Sequence, residues 1–141
     1  MTRTTPSSRM LVWWLPLLLL QGSATLAWAD TPASILAKYE KLAGAPGSPE
    51  RGKKLFTTDF KQVLGWTCSS CHTEDPSRRG QDQLKEKPIE PLAPAANPKR
   101  LTNPVHVDAT LNVNCADVVG RKCTAQEKAD LMAWLISVKP R

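Results

Sequence analysis

Cys68-Ser69-Ser70-Cys71-His72 is the stretch whose reading decides the fold. It is CxxCH, the attachment signature of c-type haem. Two thiols on one turn reach the two vinyl groups of one porphyrin edge as thioethers, and the adjoining histidine swings its imidazole under the iron, which makes His72 the proximal ligand. Other uses of such a turn fit less well. A thioredoxin-like CxxC belongs in a strand-helix unit, and no alternating strand pattern is visible around it. A zinc site wants a second cysteine pair at similar spacing, whereas Cys115 and Cys123 stand eight apart. A local disulfide between Cys68 and Cys71 leaves His72 without a role.

The N-terminus places this chemistry outside the cytoplasm. Residues 1–29 read as a secretory signal: Arg3 and Arg9 in a polar head, an apolar run from Met10 to Leu20, and Ala27-Trp28-Ala29 as a small-x-small cleavage site. A membrane anchor is the competing reading, but Pro16 and the polar run Gln21 to Thr25 interrupt a segment that needs roughly 20 apolar residues to span. Cleavage leaves Asp30 to Arg141 as a single domain in the periplasm, 112 of the 141 residues, with no membrane span of its own. The whole chain carries 19 Lys plus Arg against 13 Asp plus Glu. Two of the basic residues lie in the signal, so the excess that remains is too small to suggest nucleic acid. All four cysteines lie in the exported part, where thiols are oxidised or capped by a cofactor; the plain default for four is two disulfides in any of three pairings.

The remainder reads as mainly helical. Ile35, Leu36, Tyr39, Leu42 and Ala43 form one stripe, with Thr31 and Pro32 as N-cap and first helical residue, which predicts a helix over 31–43. A second helix is predicted to open near Glu50, with Leu55, Phe56 and Phe60 on its apolar side, and to stop before Gly65. Five prolines between Gly80 and Pro104 forbid a long helix or central strand and predict a long loop, whose Ile89, Leu92 and Leu101 need a surface to cover. Thr124-Ala125-Gln126-Glu127 is a capping box opening a last helix, with Leu131, Met132, Leu135 and Val138 on one stripe, Trp134 beside it and Pro140 beyond its end.

The sixth iron ligand is less legible. No methionine lies between His72 and the last helix, so Met132, on the packing stripe, and His106, read as a loop histidine after Pro104, are the strong-field alternatives. Asn112 and Asn114 precede Cys115, and turn chemistry accounts for them as readily as ligation does.

Several segments taken together resemble the sphaeroides haem protein (SHP) family of cytochromes c. They are Glu50-Arg51-Gly52 to Leu55-Phe56, the CSSCH turn, Ile89-Glu90-Pro91-Leu92-Ala93-Pro94-Ala95-Ala96-Asn97-Pro98, Asn114-Cys115, Gly120-Arg121-Lys122-Cys123-Thr124 and Glu127-Lys128-Ala129-Asp130 to Ala133-Trp134-Leu135. The resemblance implies an all-α, class I cytochrome c-like fold around one covalent haem c. It implies that Asn114 ligates ferric iron and leaves on reduction, that Cys115 and Cys123 form a disulfide, and that Cys68, Cys71 and His72 hold the haem. It further implies a dihaem cytochrome c and a membrane cytochrome b as electron donors.

An amide oxygen is a hard, weak-field donor, so a site of this kind opens to O2, NO or CO when the iron is reduced. The alternatives are a low-spin electron carrier using Met132 or His106, and a thiol redox module without haem. No acid-base residue marks the chain as an enzyme, His106 being the one candidate for proton delivery. Lys99, Arg100, Arg121 and Lys122 are either a positive rim for an acidic partner or solvated surface charge.

Overall fold

The computed structural model describes residues 1–2, 30–62 and 65–140, so the signal segment read over 1–29 lies, from residue 3 on, outside the described residues. No described helix is long and apolar enough to cross a membrane. The described part is helical: α1 (Pro32–Ala43), α2 (Pro49–Thr57), the short α3 (Cys68–His72), α4 (Pro104–Val119) and α5 (Ala125–Ser137). A two-residue antiparallel ladder, β1 (Gly80–Gln81) with β2 (Pro88–Ile89), pins the start of the proline-rich loop and pairs Gly80 with Ile89 and Gln81 with Pro88. The sequence shows no strand here because two residues are too few for a period-2 pattern.

Local chemistry sets the helix starts. Thr31, Ser48, Thr67, Asn103 and Thr124 each accept a backbone N–H of the first turn, and Pro occupies the first turn of α1, α2 and α4. In α5 the capping box closes as predicted: Thr124 accepts from the Glu127 N–H at 3.2 Å, and the Glu127 carboxylate accepts from the Thr124 N–H at 2.8 Å. α2 ends at Thr57, so Phe60 lies beyond it instead of on its apolar side. Leu42, placed on the α1 stripe, is 74% exposed, because only Ile35 and Tyr39 of α1 are buried.

α4 is the element that the sequence reading lacked. His106, Asn112 and Asn114 sit on a 16-residue helix, not in loop or turn. Its signals were present: Asn103 and Pro104 as N-cap and first residue, Gly120 at φ 80° after its end, and Val107, Leu111, Cys115 and Val118 on one side. They were masked by Val105, Val107, Val113 and two asparagines, residues that pull the other way in propensity.

α5 packs against both α1 and α2 and forms the centre of the molecule. Every residue from Lys128 to Leu135 is buried, a wider face than the predicted stripe. Trp134 stacks tilted on Phe56 of α2, ring centroids 4.6 Å apart. One core cluster joins Phe56, Leu131, Trp134, Leu135 and the Cys115–Cys123 disulfide. The other joins Ile35, Tyr39, Val107, Ala129 and Met132. Met132 is 1% exposed within that second cluster, which is packing, and it borders neither of the two pockets beside Cys68 and His72.

The α2–α5 contact is locked by charge. Arg51 donates to both oxygens of buried Asp130, from Nε at 2.8 Å and Nη2 at 2.7 Å, while the Ser48 N–H and Gln126 Nε2 donate at 2.8 and 2.9 Å. Burial alone pushes the Asp130 carboxyl up, but these donors overcome it and hold the group below the ordinary carboxylate range. Glu127, paired with Arg121 at 2.7 Å, is held at about 2. A depressed folded pKa contributes stability that is present above the unfolded value, near 4, and is lost as pH falls through the folded one. The holoprotein melting temperature is therefore expected to drop as pH falls from about 5 towards 2, and Asp130→Asn is expected to flatten the curve; an unchanged slope in that variant would exclude Asp130 as a contributor.

Candidate haem site

α3 is a single turn built to present three side chains. Thr67 caps it: its hydroxyl accepts from the Ser70 N–H at 3.1 Å, and the Ser70 hydroxyl accepts from the Thr67 N–H at 3.1 Å. The two serines of CSSCH thus hold the turn while Cys68, Cys71 and His72 face a cavity. Thr73, at φ 61° and ψ 165°, reverses the chain immediately after His72, a region that non-glycine residues enter only under tertiary constraint. Gly80 presses on the back of the turn. A Cβ there would overlap the Cys71 carbonyl and stand 3.0 Å from His72 Cα, so the first ladder residue doubles as a backstop for the turn.

The cavity has two lobes that share Cys68, His72 and Asn114. The first, about 740 Å³ counted to its mouth, is walled by Phe56, Leu92, Leu101, Leu111, Leu131 and Leu135, with His106 and Thr110 on its α4 side. The second, about 920 Å³ counted likewise, lies beside Cys71, Trp66, Leu84 and Ile89, with Asp117 of α4. Leu92, Leu101 and Ile89, the loop residues that needed a surface, line the cavity. α4 contributes a stripe at helical spacing, His106, Thr110, Asn114 and Asp117, all of which border the cavity. That stripe, and the hydroxyl at Thr110 in particular, was missed with the helix that carries it.

Electrostatics suit a neutral imidazole ligand. Burial, and after it the positive charge of Arg100, hold the His72 ring below its ordinary pKa. Burial pushes the Cys68 thiol up to about 11, and Cys68 and Cys71 are not bonded to each other. Phe56 lies tilted beside the His72 ring at 6.3 Å and links it to Trp134.

The two candidate asparagines diverge. Asn112 turns away from the cavity, its amide donating to Asp108 at 2.9 Å within a cluster where Lys128 and the Tyr39 hydroxyl also reach Asp108, at 2.6 and 3.1 Å. Asn114 lines both lobes. Cys115, beside it, is bonded to Cys123 across the α4–α5 connection. Of the proposed positive rim, Arg121 is paired with Glu127, and Arg100 donates to the Pro91 and Glu90 carbonyls at 3.1 and 3.0 Å. These two guanidiniums are structural, and the patch is narrower than the sequence suggested.

A wall of leucines and one phenylalanine, met along one edge by two thiols and an imidazole on a single turn, fits a flat apolar macrocycle anchored by two thioethers and one nitrogen. On that fit the chain is a monohaem cytochrome of the c type, and Cys68, Cys71 and His72 are the residues that would hold its haem. Residues 42–135 match the family model described as a domain of unknown function, DUF1924. The chain is 46% identical over 120 residues to cytochrome c-type protein SHP of Cereibacter sphaeroides, covering 82% of this chain and 90% of that protein. It is 38% identical over 126 residues to cytochrome c'' of Methylophilus methylotrophus, covering 84% and 88%. The solved structure of oxidised SHP, an oxygen-binding cytochrome c, superposes with a TM-score of 0.70 at 45% identity, over 77% of this chain and 97% of that one. Oxidised cytochrome c'' does so with 0.72 at 32% identity, over 77% and 95%. The chain belongs to the SHP family of c-type cytochromes.

Proposed function

We propose that this protein is an exported, periplasmic electron-transfer cytochrome whose distal side is closed by Asn114 in the ferric state and opens to O2, NO or CO on reduction. The observation that carries the reading is that Asn114 lines both lobes of the cavity together with His72, while Asn112 is tied to Asp108 and Met132 is sealed in the second core cluster. The similarity to SHP, described as an oxygen-binding cytochrome c, supports O2 as a ligand class.

Haem c supplies a one-electron couple and a coordination position for a small gas. Asn114 offers that position a hard amide oxygen, which suits ferric iron and binds ferrous iron poorly, so the side chain lets go on reduction. Two anchors confine the movement. Asp108, held by Lys128, Tyr39 and Asn112, fixes α4 before Asn114, and the Cys115–Cys123 bond fixes it immediately after. Release is then a swing of the Asn114 side chain with α4 in place. A dihaem cytochrome c and a membrane cytochrome b are the electron donors that the family resemblance implies.

A conventional low-spin carrier is the second reading. His106 favours it, being an α4 residue on the cavity wall that carries a strong-field donor. Absorption and EPR spectra of the ferric and dithionite-reduced holoprotein, with and without CO, separate the two. A high-spin reduced form that takes up CO at once is expected; low-spin spectra in both states, indifferent to CO, would overturn the open-site reading in favour of the carrier.

A further inference from the structure

Thr110 lies on the cavity wall one helical turn before Asn114. Hydroxyls inside or at the end of a helix commonly turn back onto the carbonyl three or four residues earlier. Thr57 does so onto Lys53 at 3.1 Å, and Ser137 onto Trp134 at 2.7 Å. The Thr110 hydroxyl forms no such bond among the described residues, and it stands on the side of α4 that borders the first lobe. Three other polar residues that border the cavity are unsuited to donate there. His106 is a further turn away, about 12 Å along the axis from Asn114 at 1.5 Å per residue. Asp117 borders the second lobe and, ionised, only accepts. Thr67 is committed to Ser70 and Ser69.

Helical side chains lean towards the N-terminus, so Asn114 leans over the turn that Thr110 occupies. A small molecule that takes the place Asn114 vacates lies beside the turn that carries Thr110. We infer that Thr110 is the specificity-determining residue of the distal side: it donates a hydrogen bond to the captured gas and favours O2 over CO. The physical ground is polarity. Dioxygen draws electron density to its outer atom when it binds and becomes a strong acceptor, while CO stays nearly apolar, and hydrogen bonds to charged acceptors are roughly twice as strong as neutral ones. The inference rests on the proposed release of Asn114.

The test compares reduced holoprotein as wild type, Thr110→Val and Thr110→Ser. Val keeps the shape and the helix preference and removes the donor; Ser restores it. Expected for Thr110→Val is an O2 dissociation rate about 10-fold faster, with CO affinity unchanged and the C–O stretch of the CO-loaded protein moved to higher frequency. Thr110→Ser is expected to stay near wild type in all three. Soret absorbance and far-ultraviolet circular dichroism check that each variant is folded and loaded. CO uptake by all three proteins with equal O2 dissociation rates would overturn the role of Thr110 while leaving the release of Asn114 standing. A wild type that takes up no CO would overturn both.

Discussion

Asn114→Ala is expected to raise the apparent affinity of the ferric holoprotein for azide or cyanide by about 100-fold, while CO uptake by the reduced protein stays as in the wild type. The asymmetry follows from competition. In the ferric state an external anion has to displace the amide, so its apparent affinity is reduced by the fraction of molecules in which the position is free; if that fraction is about 1%, removing the amide restores the intrinsic value. In the reduced state the proposed mechanism has Asn114 already released, so its loss costs nothing. Asn112→Ala is the matched control, because its amide donates to Asp108 and borders neither lobe. Equal anion affinity in the wild type and Asn114→Ala would remove Asn114 from the distal position. A gain in Asn112→Ala instead would move the role two residues along α4.

Gly52→Ala carries the largest expected effect on stability. Gly52 is buried where α2 crosses α5, and a Cβ there would overlap the Asp130 carbonyl and stand 2.9 Å from Trp134 Cβ. Two of the obstructing atoms are backbone, so no rotamer change relieves the overlap and the helices have to separate. Overpacking of this kind costs about 3 kcal/mol or more, a large share of a total stability of roughly 5–15 kcal/mol. The holoprotein melting temperature is expected to fall by about 10 °C. The damage reaches the haem side as well. α2 carries Phe56, which packs on Trp134 and stands beside His72, so a shift of α2 moves a neighbour of the proximal imidazole and is expected to perturb the Soret band. A variant that melts with the wild type and keeps its spectrum would mean that the crossing is looser than the structure has it.

Which features were legible in the sequence follows from how far apart the interacting residues lie. CSSCH needs only five consecutive residues to state its chemistry. The capping boxes and first-turn prolines are equally local, which is why α1 and α5 could be bounded nearly to the residue from Thr31-Pro32 and Thr124 to Glu127. The loop of 80–104 was legible because proline forbids more than it permits. α4 was not, since its β-branched residues and asparagines weaken the helical signal. Its buried residues, Val107, Cys115 and Val118, themselves border the cavity, so its apolar side faces the cofactor site as well as the core.

The sequence by itself therefore determined the cofactor and the helical class, and it singled out Cys68, Cys71 and His72 as the residues to hold the haem, all of them readings of short runs whose chemistry is complete within one turn. Only the tertiary structure decided between Asn112 and Asn114 as the residue on the cavity wall, because the choice depends on how α4 is rotated. Contacts from elsewhere in the chain set that rotation: Tyr39 and Lys128 hold Asp108 on one side, and Cys123 holds Cys115 beside Asn114. Met132 was settled in the same way. Ile35 and Tyr39 of α1, roughly 95 residues earlier in the chain, cover it and make it core.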